Sequence, residues 1–384
     1  MPIQATMCQP KCVYFGTCGG CAFQDLEYAA QLDLKHKFVE EALSSFSRRD
    51  SFQIEPVIPS PKPYHYRHML SLTVKRRNGG LQLGFMKRDS HTFLSVESCP
   101  IADERINQFL PQALAKLETL PLKKKFHTSQ MTLRIGDNNK VVTSLPSDRG
   151  EKLECTVLGK QFSYSVSSFF QNNYSILDSF VQAVRSLLGT PSKTVIASLP
   201  RFSAGAAIPD AEIASSALPP RNDVPRGTLF DLYSGVGLFG ISLADGYGRV
   251  IGIEEGYEAV EQAKQNAKRN EVKNTTFLQG KVETLFPELI PAVKPPLHPV
   301  RDKSLISNGV HIIIDPPRIG LKPGVIQCLL TLPIERLVYV SCELSALQRD
   351  LTLLQDRFKI TRVQPLDLFP QTKHIETIVL LESR

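Results

Sequence analysis

Five of the eight cysteines in this chain sit where sulfur could do chemistry. Cys12, Cys18 and Cys21 crowd into CVYFGTCGGC, and Cys99 follows far downstream in SVESCPI. Four thiolates are a ligand set for zinc or for an iron–sulfur cluster. C-x5-C-x2-C with one remote cysteine matches neither ordinary zinc-finger spacing nor the C-x2-C-x2-C ferredoxin run. The spacing therefore indicates a metal without choosing it. Cys342 stands apart, just past an expected strand in VYVSCELSALQRD. A buried core cysteine would be ordinary in a strand, whereas a thiol at a strand end beside a cofactor pocket reads more readily as reactive, and the residues alone leave both open. Sulfur suits addition to an electron-poor conjugated carbon such as C6 of a pyrimidine. Cys8 is a spare, and Cys155 and Cys328 read as ordinary buried thiols.

Two further motifs point at a ligand. DLYSGVGLFG sets Asp231, Gly235, Gly237 and Gly240 at a strand-to-helix turn, and Glu254 closes the next strand. An acid there can accept both hydroxyls of a ribose. The glycines do not spell GxGxxG, and Asp231 would repel a pyrophosphate. A ligand without phosphates that carries a cation fits better than NAD, and S-adenosylmethionine is such a ligand. HIIIDPPRIG then sets Asp315 and Arg318 directly after another strand, where two prolines stiffen a pocket edge.

These residues need a scaffold. From 228 onward strand and helix alternate: TLFDLY, VIGIEE, TTFLQG, HIIIDP, RLVYVS and TIVLLES are continuous apolar runs. Such runs separated by helices predict a mostly parallel α/β sheet covered on both faces. Upstream, a helix is expected from about Leu26 to Leu43, with Leu32, Phe38, Val39 and Leu43 on one face. MLSLTVK and LQLGFM flank RNGG, a hairpin turn. With a helix over 103–119 and strands around 129–145 and 153–165, residues 50–165 read as a central α+β domain. The resulting division is 1–49 for the cysteine segment and helix, 50–165 for the central domain, and 166–384 for the catalytic domain. Residues 190–227 read as an atypical insertion without fixed structure, rich in Pro, Ala, Ser and Gly.

Charge sharpens this division. The chain of 384 residues has a formal net charge of +7, and residues 1–165 hold 22 Lys+Arg against 16 Asp+Glu. A basic first part beside a neutral second part suits a polyanion. Lys75, Arg76, Arg77, Lys87 and Arg88 flank the hairpin, and Lys123, Lys124 and Lys125 form a second patch. No secretory leader and no run of 18 apolar residues is present, so a cytoplasmic protein with no membrane partner is expected.

The chain resembles the S-adenosylmethionine-dependent RNA 5-methyluridine methyltransferases, most of all the bacterial 23S ribosomal RNA enzymes with an iron–sulfur cluster. The likeness runs through CxxxxxCxxC at 12–21, YR at 66–67, SHxFxxxxxCP at 90–100, SFFQNN at 168–173 and DLYSGVGLFG at 231–240. It continues through DPPRxG at 315–320, SCxxxxLxRDL at 341–351 and DLFPQTKHIE at 367–376. The resemblance implies a Rossmann-like methyltransferase domain behind an iron–sulfur segment and a central RNA-binding domain. It implies that Cys12, Cys18, Cys21 and Cys99 hold a [4Fe–4S] cluster. It further implies that Gln171, Tyr233, Gly235, Glu254, Gln279 and Asp315 line the S-adenosylmethionine site. Cys342 becomes the nucleophile and Glu376 the general base. Arg67 and Arg318 join the residues that would hold RNA, and a monomer acting on ribosomal RNA is expected.

The sequence also departs from the family. SCNP is common at the nucleophile, whereas Glu343 and Leu344 follow Cys342 here, and Glu343 would raise the thiol pKa if it faced inward. PYRNK is common where this chain has Tyr66-Arg67-His68-Met69. No oligonucleotide-binding TRAM barrel is expected ahead of Cys12. Two other functions remain: a transfer-RNA uracil-5 methyltransferase, or a non-catalytic RNA-binding protein that kept the fold.

Overall fold

The computed structural model describes residues 6–77, 79–88, 92–121, 128–189, 227–289 and 310–384. The 190–226 stretch of the expected insertion and Lys123–Lys125 lie outside the described residues. After the cysteine segment comes α1 (Tyr28–Leu43), which buries Gln31, Lys35, Val39 and Leu43. These residues share one face at four-residue spacing, but its first two are polar. The expected Leu32 and Phe38 are only partly covered. β1 (Gln53–Ile54) is a two-residue strand. β2 (Met69–Arg77) and β3 (Gly80–Met86) form the hairpin that RNGG predicts.

β4 (Phe93–Ser95), β5 (Thr128–Ile135) and β6 (Val141–Thr143) complete a five-stranded antiparallel sheet in the order β4-β3-β2-β5-β6. α2 (Glu104–Glu118) is capped by Asp103, whose carboxylate accepts from the Arg105 N–H. It adds Ile106, Leu110, Ala113 and Leu117 to this sheet's core. β7 (Lys152–Val157) and β8 (Lys160–Ser165) form a separate hairpin. Sequence patterning assigns it to the central domain. Its side chains Leu153, Val157, Phe162 and Tyr164 instead enter the core of the C-terminal half, so that half begins upstream of 166.

The C-terminal half opens with α3 (Leu177–Leu188), β9 (Thr228–Leu232) and a short α4 (Leu238–Ser242). Then follow β10 (Arg249–Glu254), α5 (Tyr257–Arg269), β11 (Thr275–Gln279) and α6 (Val282–Glu288). β12 (Val310–Ile314), α7 (Pro323–Thr331), β13 (Arg336–Ser341), α8 (Leu344–Leu354), β14 (Phe358–Leu366) and β15 (Glu376–Ser383) complete it. The eight-stranded sheet runs β1-β14-β15-β13-β12-β9-β10-β11. Only β15 opposes the other seven strands. Alternate residues of the apolar runs feed two cores, one on each face: Leu229, Val250 and Ile313 on one, Phe230, Ile251 and Ile312 on the other. Chain order reverses between β9 and β12, the switch point outside which such sheets bind ligands. Among the described residues no helix is long and apolar enough to cross a membrane.

Candidate active site

Strand register brings most of the expected site residues to one edge. Glu254 pairs with Gln279 across β10 and β11. The Ile253–Leu232 pair sets Glu254 beside Tyr233, and the Leu232–Ile314 pair sets Tyr233 beside Asp315. On the other side of β12, Ser341 pairs with Thr377. One step further out come Cys342, just past the end of β13, and Glu376, the first residue of β15, close enough for the carboxyl to act on the thiol. Because β15 runs backwards, its first residue shares the edge with the last residues of its neighbours.

On the β9–β11 side the backbone holds one carboxylate. Glu254 Oε2 accepts from the Gly235 N–H at 3.1 Å and Oε1 from the Gly256 N–H at 2.8 Å. Gly237 has φ +87°, and a Cβ there would stand 2.8 Å from Ile241 and 2.9 Å from Phe277, so only glycine permits this turn. Beside Gly235 a Cβ would meet open space, which leaves room for a ligand next to Glu254. Gln279 ends β11 and donates to the Glu255 carbonyl at 3.2 Å.

Asp231 takes a different part from the one its spacing suggests. It is 1% exposed, and Oδ2 accepts the Gly240 N–H at 2.8 Å, beneath the turn rather than at the open edge. Burial pushes its pKa up to about 7, so it is a poor reason to exclude phosphates. Gln171 is buried on the 166–173 loop. The buried Arg134 guanidinium grips that loop at the Ser168 and Phe170 carbonyls, at 2.7 and 2.6 Å. Ser168 ties it to Gln262 of α5 at 2.9 Å.

The β12, β13 and β15 side crowds acids together. The Cys342 thiol is pushed up to about 11, first by burial and then by Glu376 and Asp315, with Arg318 pulling the other way. Glu343, expected as a cause, instead accepts from the Ser345 hydroxyl at 3.0 Å. Burial and Asp315 hold the Glu376 carboxyl well above the carboxylate range. Burial and Asp231 raise Asp315 to about 7. Arg318 is exposed beside them.

The four expected metal cysteines line one cavity of about 250 Å³ between the N-terminal segment and the central sheet. Lys87 bridges to Cys18, and Arg88 donates to the Cys21 carbonyl at 3.4 Å. Asn107 brackets Cys99, accepting its N–H at 2.8 Å and donating to its carbonyl at 3.1 Å. Burial, and then the other three sulfurs, push Cys21 up to about 12 against a hydrogen bond from Gln24. Among the described residues no three His, Cys, Asp or Glu form the ligand set of a single ion. Cys155 and Cys328 are buried as expected. The basic candidates divide: Arg67 lines the cysteine cavity and Arg88 holds the cysteine loop, whereas Arg76 and Arg77 are exposed at the hairpin end. Lys75 lies over the Phe93 ring.

Residues 367–375, which join β14 to β15, carry contacts that motif reading misses. Four consecutive carbonyls are each taken by a donor from upstream. Asn173 donates to Leu368 at 3.2 Å, Lys35 to Phe369 at 3.0 Å and the Tyr66 hydroxyl to Pro370 at 3.0 Å. The Ala22 and Phe23 N–H groups, next to Cys21, donate to Gln371 at 2.9 and 3.0 Å. Lys35 Nζ also meets Asp367 Oδ1 at 2.6 Å, with both side chains fully buried. Gln31 and Gln371 exchange two hydrogen bonds of 3.0 Å. The available sequence signal was the four-residue spacing of Gln31, Lys35, Val39 and Leu43.

Comparison with known proteins agrees with this architecture. Residues 209–384 match the family model described as tRNA (Uracil-5-)-methyltransferase. The tRNA (uracil(54)-C(5))-methyltransferase of Schizosaccharomyces pombe is 29% identical over 393 residues, which cover 97% of this chain and 65% of that enzyme. The chain thus spans just under two-thirds of that relative. An uncharacterized RNA methyltransferase of Thermosynechococcus vestitus is 29% identical over 404 residues, 98% of this chain and 84% of the relative. Among solved structures, the Pyrococcus abyssi tRNA (uracil-54, C5)-methyltransferase, in complex with S-adenosyl-L-homocysteine, superposes with a TM-score of 0.64 at 22% identity. That alignment covers 95% of this chain and 86% of that one, and it shows a shared fold.

Proposed function

We propose that this chain is an S-adenosylmethionine-dependent RNA uracil-5 methyltransferase, a reading supported by its similarity to that family over residues 209–384 and to named RNA methyltransferases, and that it methylates C5 of a uridine in 23S ribosomal RNA. The observation that carries this reading is Cys342 beside Glu376 on the edge that also holds Asp315, Tyr233 and Glu254. S-adenosylmethionine supplies a methyl group on a sulfonium when bound. Glu254 would take the ribose hydroxyls, with Gln171, Tyr233, Gly235, Gln279 and Asp315 lining the rest of its site.

Uracil C5 is too weak a nucleophile to act unaided. The Cys342 thiolate forms a bond to C6, and the displaced electron pair leaves C5 electron-rich. C5 takes the methyl group as the methyl–sulfonium bond breaks, the electron pair staying on sulfur as a neutral thioether. Glu376 then removes the C5 proton, the pair returns to the ring, and the C6–S bond breaks to release 5-methyluridine. Burial and Asp315 raise the proton affinity of Glu376, which makes it a stronger base once it is ionised. The target base is flipped out to reach the edge. Arg318 suits its phosphate, and Lys75, Arg76, Arg77 and Lys87 suit phosphates further along.

Cys12, Cys18, Cys21 and Cys99, which line one cavity, would hold a [4Fe–4S] cluster. The cluster would fasten the N-terminal segment to the domain of Cys99. Iron and sulfide analysis after anaerobic purification checks this; zinc without sulfide would overturn it. Transfer RNA is the second reading, favoured by the names of the S. pombe and P. abyssi relatives. Mass mapping of 5-methyluridine in cells with and without the gene decides between them. Loss from 23S ribosomal RNA supports the first reading, loss from transfer RNA alone the second, and loss from neither defeats both.

A further inference from the structure

Glu376 is the first residue of β15, so its place depends on how residues 367–375 return from Leu366, its partner across β14. That connection has little structure of its own. Gln371 has φ +67°, a left-handed conformation that persists in a non-glycine residue only when surroundings impose it. The surroundings here are the upstream donors to carbonyls 368–371. Among these donors the Lys35 ammonium spans the segment, gripping Asp367 and Phe369 on either side of Leu368. A fully buried ion pair is a weak source of stability, since apolar residues of similar volume often serve as well. What this pair offers over an apolar pair is direction.

We propose that Lys35, backed by Gln31, is a positioning residue for Glu376: it sets the path of 367–375 and thereby where β15 begins. The inference rests on the roles given above to Cys342 and Glu376. Misplacing the base leaves the two earlier bond-forming events intact. Cys342 still bonds to C6 and C5 still takes the methyl group, but the C5 proton stays, so the C6–S bond cannot break. The methylated RNA remains attached to the protein.

The test uses the full chain, S-adenosylmethionine labelled in its methyl group, and a uridine-containing RNA that the wild type methylates. Lys35→Met is compared with wild type and with Glu376→Gln. Turnover should fall about 100-fold, while a methyl-labelled, denaturation-resistant protein–RNA complex accumulates as it does in Glu376→Gln. RNA affinity should stay within about twofold. A merely destabilising change would lower complex and product together. Wild-type turnover, or lost turnover without accumulation, overturns the inference.

Two further variants keep the test open if Lys35→Met fails to fold. Lys35→Met/Asp367→Leu replaces the buried pair by apolar side chains and should still accumulate the complex. Tyr66→Phe removes only the donor to Pro370 and should accumulate it several-fold less. Normal turnover in both overturns the inference. Failure of the underlying reading looks different: the wild type itself would form no adduct through Cys342 with RNA containing 5-fluorouridine, whose C5 cannot lose a proton.

Discussion

One sheet edge carries two contrasting electrostatic designs. On the β9–β11 side, both oxygens of Glu254 already receive backbone N–H groups, so the carboxyl group is held and aimed. On the β12–β15 side, burial raises the proton affinity of Cys342, Glu376 and Asp315 alike, with Glu376 and Asp315 adding to it at the thiol, Asp315 at Glu376, and Asp231 at Asp315. The first arrangement suits holding a ligand without change. The second resists ionisation until something arrives that needs it, which is the usual condition of groups that must react.

Replacing Cys342 with Ala should have the largest effect. Methyl transfer should fall by about four orders of magnitude or more, while RNA binding persists in a filter or gel-shift assay. Retained turnover would erase the distinction between the two sides. Next, Glu254→Ala should weaken S-adenosylmethionine binding by about 10- to 100-fold, the range for a charged hydrogen-bonding group. Its turnover at saturating cofactor should stay near normal, so calorimetry together with kinetics would locate the loss in binding rather than chemistry. The smallest effect sharpens the reactive side. With the thiol pushed up to about 11, alkylation of Cys342 should climb about tenfold per pH unit until near that value. Asp315→Asn removes a negative neighbour, which favours the thiolate, so the alkylation profile should move to lower pH. An unmoved or upward-shifted profile would mean that Asp315 does not act on the thiol.

The strand-end positions of the candidate residues were legible because they follow apolar runs. Each of VIGIEE, HIIIDP and RLVYVS predicts a buried strand, and the next polar or sulfur-bearing residue falls at its end. Glu376 carries no such pattern. It opens a strand instead of closing one, and it needed the resemblance to be noticed. Lys35 was invisible for a physical reason. A lysine on a helix is ordinarily solvated, and this one is buried only because Asp367, 332 positions away, meets it. The packing of the β7–β8 hairpin against the C-terminal half was not legible, because its alternation suits either half. Which half it joins is decided by contacts such as Asn266 with Ser163, which no local pattern encodes.

The backward entry of β15 also bears on how this protein can change over generations. Insertions and deletions normally collect in exposed connections, which absorb them as slack. Between Leu366 and Glu376 the carbonyls of 368–371 are all spoken for, so a gained or lost residue would be passed on to β15. A slip of one position turns every side chain of a strand to its opposite face. The stretch nearest the chemistry is therefore one whose length drift can hardly edit, even though its individual side chains remain open to substitution.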